Sequence, residues 1–106
     1  MRIKTRKYLG DYHRRLIKSL KNPHEAKAYL NVALEDDQPT SFLVALKNVV
    51  EAHGVSKTAK LSGLNRVSCY KILSKRGNPS LLSLHLLLRA VGLSLRVDET
   101  HRAASL

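Results

Sequence analysis

The sequence predicts an all-α fold of five to six short helices built around a helix-turn-helix, closed by one short C-terminal β-strand. Three observations carry that expectation. Asp, Asn, Thr, Pro and Gly punctuate the chain where helices should begin and end. Between those marks, apolar residues recur at helical spacing. Near the C terminus the apolar pattern changes to strict alternation, the signature of a strand.

Asp11 is placed to cap a first helix that carries Tyr12, Leu16 and Leu20 on one face. Asn22-Pro23-His24-Glu25 marks the next start: an N-cap, proline at the first helical position, and a glutamate positioned to close a capping box. Behind it Ala26, Tyr29, Leu30, Ala33 and Leu34 form one apolar stripe, which should fade at Glu35-Asp36-Asp37 before Pro39. Thr40 is placed to cap a third helix, with Phe42, Leu46, Val49 and Val50 inward and Gly54 as its stop. Two short helices follow, from about Ser56 to Ser62 and from about Asn65 to Ser74, and then a loop at Lys75-Arg76-Gly77. Asn78-Pro79 repeats the cap-plus-proline signal and opens a leucine-rich helix to about Val91, stopped by Gly92.

Leu93, Leu95 and Val97 then alternate with Ser94, Arg96 and Asp98, which reads as one strand. A lone strand leaves its backbone edge open, so this segment is expected either to pair with a second copy or a partner protein, or to pack over its own helices as an extended tail. The organisation predicted is a basic N-terminal arm or helix over residues 1–21, a helix-turn-helix domain with its strand over 22–98, and a flexible tail over 99–106.

Charge is distributed unevenly along the 106 residues, whose net charge is +11. Residues 1–21 hold eight bases and one acid, whereas residues 22–54 hold five acids and two bases. Residues 55–78 hold six bases and no acid. A basic cluster attracts polyanions through counterion release, so nucleic acid is the partner it suggests. The acidic island needs a different one. A single cysteine cannot form an internal disulfide, which fits a reducing compartment. The longest apolar run, residues 81–95, is interrupted by His85 and Arg89 and is too short to span a bilayer. With no secretory signal visible, a soluble cytoplasmic protein is expected.

The basic cluster coincides with the parts of a DNA-reading corner. Such a corner needs a small residue where two helices cross, a turn residue tolerant of positive φ, and an inward apolar seam on the second helix. Ala59 supplies the first and Gly63 the second, while Leu64, Cys69 and Ile72 supply the seam; Asn65 is placed to cap the second helix. Arg66, Val67, Tyr70 and Lys71 then point away from the seam, with Ser74 one turn further. Arginine and lysine hydrogen-bond guanine O6 and N7, and a valine meets a thymine methyl. Ser56 and Lys57 open the first helix, where free N–H groups favour phosphate.

Other chemistry is not expected. Cys69 lies on the inward face with no activating histidine or acid nearby in sequence, so it reads as a small core residue. The five histidines are scattered without metal-ligand spacing, and no phosphate loop or nucleophile elbow is present. Neither a metal, a cofactor nor an enzyme activity is predicted.

The segments AYLNVALED, GLNR with CYKILS, GNPS and AVGLSLRV give the chain a resemblance to the addiction-module antidote proteins, HigA-like helix-turn-helix antitoxins of type II toxin-antitoxin systems. The resemblance covers roughly residues 8–98. It implies a lambda-repressor-like core, a RelE/ParE-type toxin encoded alongside as partner, and dimeric repression of the operon's own promoter. Carried over by position, operator reading falls on Arg66, Val67, Tyr70 and Lys71. Thr58 and Cys69 depart from the larger apolar residues usual at those positions. The resemblance also suggests a use for the acidic island, with Glu35, Asp36 and Asp37 docking a basic toxin. The alternatives are a stand-alone phage-type repressor without a toxin, and an RNA-binding module. The last is disfavoured because only Tyr70 offers a stacking ring near the basic cluster.

Overall fold

The computed structural model describes residues 2–74 and 76–100. Lys75 of the expected loop and residues 101–106 of the expected tail lie outside them. Among the described residues there are six helices: α1 (Arg2–Ser19), α2 (Pro23–Leu34), α3 (Pro39–His53), α4 (Val55–Ser62), α5 (Arg66–Ile72) and α6 (Leu81–Ala90). No helix among them is long and apolar enough to cross a membrane.

Helix α3 is the centre of the packing. Helices α1 and α2 lie against it on the N-terminal side, and α4 joins it to α5 and α6. The sequence explains this role, because Phe42, Leu43, Ala45, Leu46, Val49 and Val50 of α3 are all buried. All but Leu43 join one core with Leu20 after α1, Ala26 and Leu30 of α2, Ala59, Cys69 and Leu73 of the corner, and Leu87, Leu88 and Val91 from α6 and its C-cap. The Tyr29 hydroxyl accepts a hydrogen bond from the Asn48 side-chain amide at 2.9 Å, tying α2 to α3. His13 and Glu51 approach to 3.4 Å and tie α1 to the last turn of α3.

Helix boundaries mostly follow the predicted signals, with local substitutions of one cap for another. Asn22 caps α2, its side chain accepting from the His24 N–H at 2.9 Å. The capping box is not closed, because the Asn22 N–H that Glu25 was expected to reach already donates to Ser19 O at 3.1 Å. Helix α3 begins at Pro39, one residue before the Thr40 cap expected. Its N-cap Gln38 makes no side-chain cap bond, and Asp36 instead braces the turn that leads into the helix. One Asp36 oxygen accepts from the Gln38 N–H at 2.9 Å and the other from the Ser41 hydroxyl at 2.8 Å.

Helix α1 runs without a break from Arg2, so Asp11 is not its cap; it sits mid-helix, ion-paired with Arg14 one turn on. Tyr12 also departs from its expected inward place and is 66% exposed. At α6 the cap is Ser80, whose hydroxyl accepts from the Ser83 N–H at 3.1 Å, rather than Asn78. The helix ends at Gly92 with φ 84°, where the Gly92 N–H reaches Arg89 O and the Leu93 N–H reaches Leu88 O. That pair of bonds closes the last turn and needs a left-handed residue, which glycine supplies without strain.

The C-terminal strand expected over Leu93, Leu95 and Val97 is not formed. Residues 93–100 belong to no ladder, because no second extended segment among the described residues lies beside them. The alternation survives only as a gradient of burial. Leu93 packs against the core, Leu95 is exposed, and Val97 is 98% exposed.

Candidate nucleic-acid interface

Two glycines frame the α4–α5 corner. Gly54, at φ 101°, ends α3 and starts α4. Gly63, at φ 77°, ends α4 in the left-handed region. A Cβ on Gly63 would meet nothing within 4 Å, so glycine is needed there for its backbone angle and not for space. The Ser62 hydroxyl stitches the turn, donating to Ala59 O at 3.1 Å and accepting from the Leu64 N–H at 3.3 Å. Asn65 then starts α5, its side-chain oxygen accepting from the Ser68 N–H at 2.7 Å.

The inward side of the corner is well anchored. Ala59 and Cys69 are buried, and Leu64 and Ile72 are partly buried against the same core, as the spacing predicted. Leu73 and Ser62, both buried, belong to this anchor as well. Sequence reading missed them: Leu73 falls just past the helical seam, and a serine's inward hydroxyl has no periodic signature. Burial pushes the Cys69 thiol up from its ordinary value, against a smaller opposing effect of a hydrogen bond with Ser62. The thiol is therefore a packing group and a poor nucleophile.

The outward side carries the predicted set. Arg66, Val67, Tyr70 and Lys71 are all exposed, Val67 to 74%. Ser56, Lys57, Asn65 and Ser74 are exposed too, with qualifications from their bonding. Asn65 spends its oxygen on the cap, leaving only its amide NH2 free to face outward, and the Ser74 hydroxyl donates to Lys71 O at 2.9 Å. Ser56 is the second residue of α4, behind Val55. Beyond α5 the basic surface continues into a cleft lined by Ser68, Lys71, Arg76 and Asn78. Arg76 was read from the sequence only as part of a loop; folding brings it to the same cleft as Lys71.

The acidic island lies where α2 hands over to α3. Glu35, Asp36 and Asp37 are exposed, yet they are not equivalent. Asp36 is held by the Gln38 N–H and then by Ser41, and those bonds keep its carboxyl below its ordinary value. Glu35 is the C-cap of α2.

Residues 14–99, from within α1 to just past Asp98, match the family model described as "Probable addiction module antidote protein". The chain belongs to the addiction-module antidote family. A protein of Haemophilus influenzae called only "Uncharacterized protein" is 31% identical over 84 residues, covering 79% of this chain and 87% of that relative. No solved structure matches the chain. The antidote match takes in the α4–α5 corner and the acidic island, and leaves the first 13 residues outside it. An antidote implies a cognate toxin as partner.

Proposed function

We propose that the chain is a HigA-like antitoxin of a type II toxin-antitoxin system, acting in the cytoplasm. It neutralises a RelE/ParE-type toxin, with Glu35, Asp36 and Asp37 as the docking charges. As a dimer it also represses its own operon promoter through α4 and α5, a helix-turn-helix in a lambda-repressor-like arrangement. The observation that carries the DNA-reading part is the two-sidedness of α5. Cys69, with Leu64 and Ile72, holds it to the core on one side, while Arg66, Val67, Tyr70 and Lys71 stand exposed on the other. A helix held rigidly and furnished with bidentate donors on its free side suits the major groove. Lys57, at the start of α4, suits a phosphate.

Gel-shift titration with DNA from upstream of the chain's own gene tests this. Arg66→Ala should cost roughly 1–3 kcal/mol at one operator position and relax specificity there. Lys57→Ala should weaken all sequences about equally and flatten the salt dependence. Uniform loss from Arg66→Ala would contradict the base contact assigned to it. Co-purification with the product of the neighbouring gene separates an antitoxin from a stand-alone repressor.

A further inference from the structure

Two uncovered surfaces on this chain complement one another. The first is the apolar stripe of α1: Leu9, Tyr12, Leu16 and Leu20, spaced by three and four along one face. Leu20 is buried and Leu16 packs against the core, but Tyr12 and Leu9 are 66% and 63% exposed. The stripe thus runs off the edge of its own core. It does so on the most basic part of the chain, where residues 1–21 hold eight bases and one acid.

The second surface is a groove between α2 and α3 of about 500 Å³, lined by Tyr29, Val32, Ala33, Thr40, Val44 and Ala45. Val32 is 67% exposed and Val44 is exposed as well, so its apolar floor is open. Glu35, Asp36 and Asp37 follow directly from α2 at its end, in the stretch where acids outnumber bases five to two. A chain's own α1 is fixed elsewhere. His13 meets Glu51 in the last turn of α3, whereas the groove uses the first half of that helix, and seven residues separate Glu51 from Val44, about 10 Å along the axis.

We propose that the exposed Leu9–Tyr12 end of α1 docks in the α2–α3 groove of a second copy, the two helices exchanging reciprocally about a two-fold axis. The arrangement is isologous and closed, so it ends at a dimer. It covers two exposed apolar surfaces at once and sets a basic helix beside an acidic rim, whose exposed charges make association weaken with salt. It requires neither DNA nor a toxin.

Sedimentation equilibrium of the full chain at low and high salt is the first measurement. A salt-sensitive dimer is expected, weakened about tenfold or more by Tyr12→Glu or by Val44→Glu, as for loss of one well-packed interface anchor. Both positions are exposed, and circular dichroism will establish that each variant folds. Mixing Tyr12→Cys chains with Val44→Cys chains under mild oxidation should give a mixed disulfide dimer that neither yields alone, since Cys69 is buried. A monomer at every concentration overturns the proposal, as does a dimer indifferent to both substitutions. If Val44→Glu abolishes capture of the neighbouring gene's product while self-association is unchanged, the groove belongs to that partner and the proposal is equally refuted. None of these outcomes depends on whether the chain binds operator DNA.

Discussion

Replacing Thr58 by valine should make this protein more stable. Thr58 is 0% exposed, in the middle of α4 and against the core, and its hydroxyl oxygen has no hydrogen-bond partner. A threonine in a helix commonly bonds back to the carbonyl four residues earlier. Here the hydroxyl makes no such bond to Gly54 O, although that carbonyl is in place and accepts the Thr58 N–H at 2.9 Å. Leaving a buried hydroxyl unpaired costs about 1–3 kcal/mol. Valine keeps the branched shape, replaces the oxygen by a methyl, and has nearly the same helix propensity. A gain of about 1 kcal/mol is therefore expected, which for a chain of this size raises Tm by roughly 4 °C. Scanning calorimetry together with urea unfolding reads this directly, with an unchanged m-value showing that the gain is in stability alone. The partner substitution Thr58→Ser keeps the hydroxyl and removes the methyl, and should destabilise by about 1 kcal/mol. If Thr58→Val instead lowers the urea midpoint, the hydroxyl has a partner in solution and the reasoning is wrong.

Gly77→Ala should cost about 1–3 kcal/mol, because a Cβ there would overlap the Ile72 carbonyl oxygen, which is backbone and cannot swing aside; a wild-type urea midpoint would contradict the loop geometry. Asp36 has a folded-state pKa below its ordinary 3.8, owing to the Gln38 N–H and the Ser41 hydroxyl. Its contribution is therefore fully present above that ordinary value and is lost as pH falls through the lower folded one. Asp36→Ala should narrow the difference in urea midpoint between neutral and strongly acidic pH, and an unaltered difference would count against those two bonds. Cys69, buried with its thiol pushed up, should resist a disulfide exchange reagent in the native state and react fully once unfolded. Fast native labelling would show that the corner opens readily.

Local chemistry carried much of this molecule in legible form. The caps at Asn22 and Asn65, the stops at Gly54, Gly63 and Gly92, and the inward sides of α3 and α5 depend on neighbours within one turn, so they appear as short patterns. The same holds for the exposed set Arg66, Val67, Tyr70 and Lys71, whose direction follows from the opposite seam. Where several caps compete, the pattern was less decisive. Gln38 took the N-cap place expected of Thr40, and Ser80 that of Asn78, because the cap that forms depends on how the preceding loop turns.

Tertiary structure decided the rest, since those features join residues distant in sequence. Arg66 and its neighbours face outward by helical period alone, but Arg76 reaches the cleft it shares with Lys71 only through the turn after α5. Thr58 is fully enclosed because α4 lies among α3, α5 and α6, which no spacing within α4 reveals. Alternation at Leu93, Leu95 and Val97 describes a segment able to be a strand. A ladder needs a second strand, and the described residues of a single copy offer none.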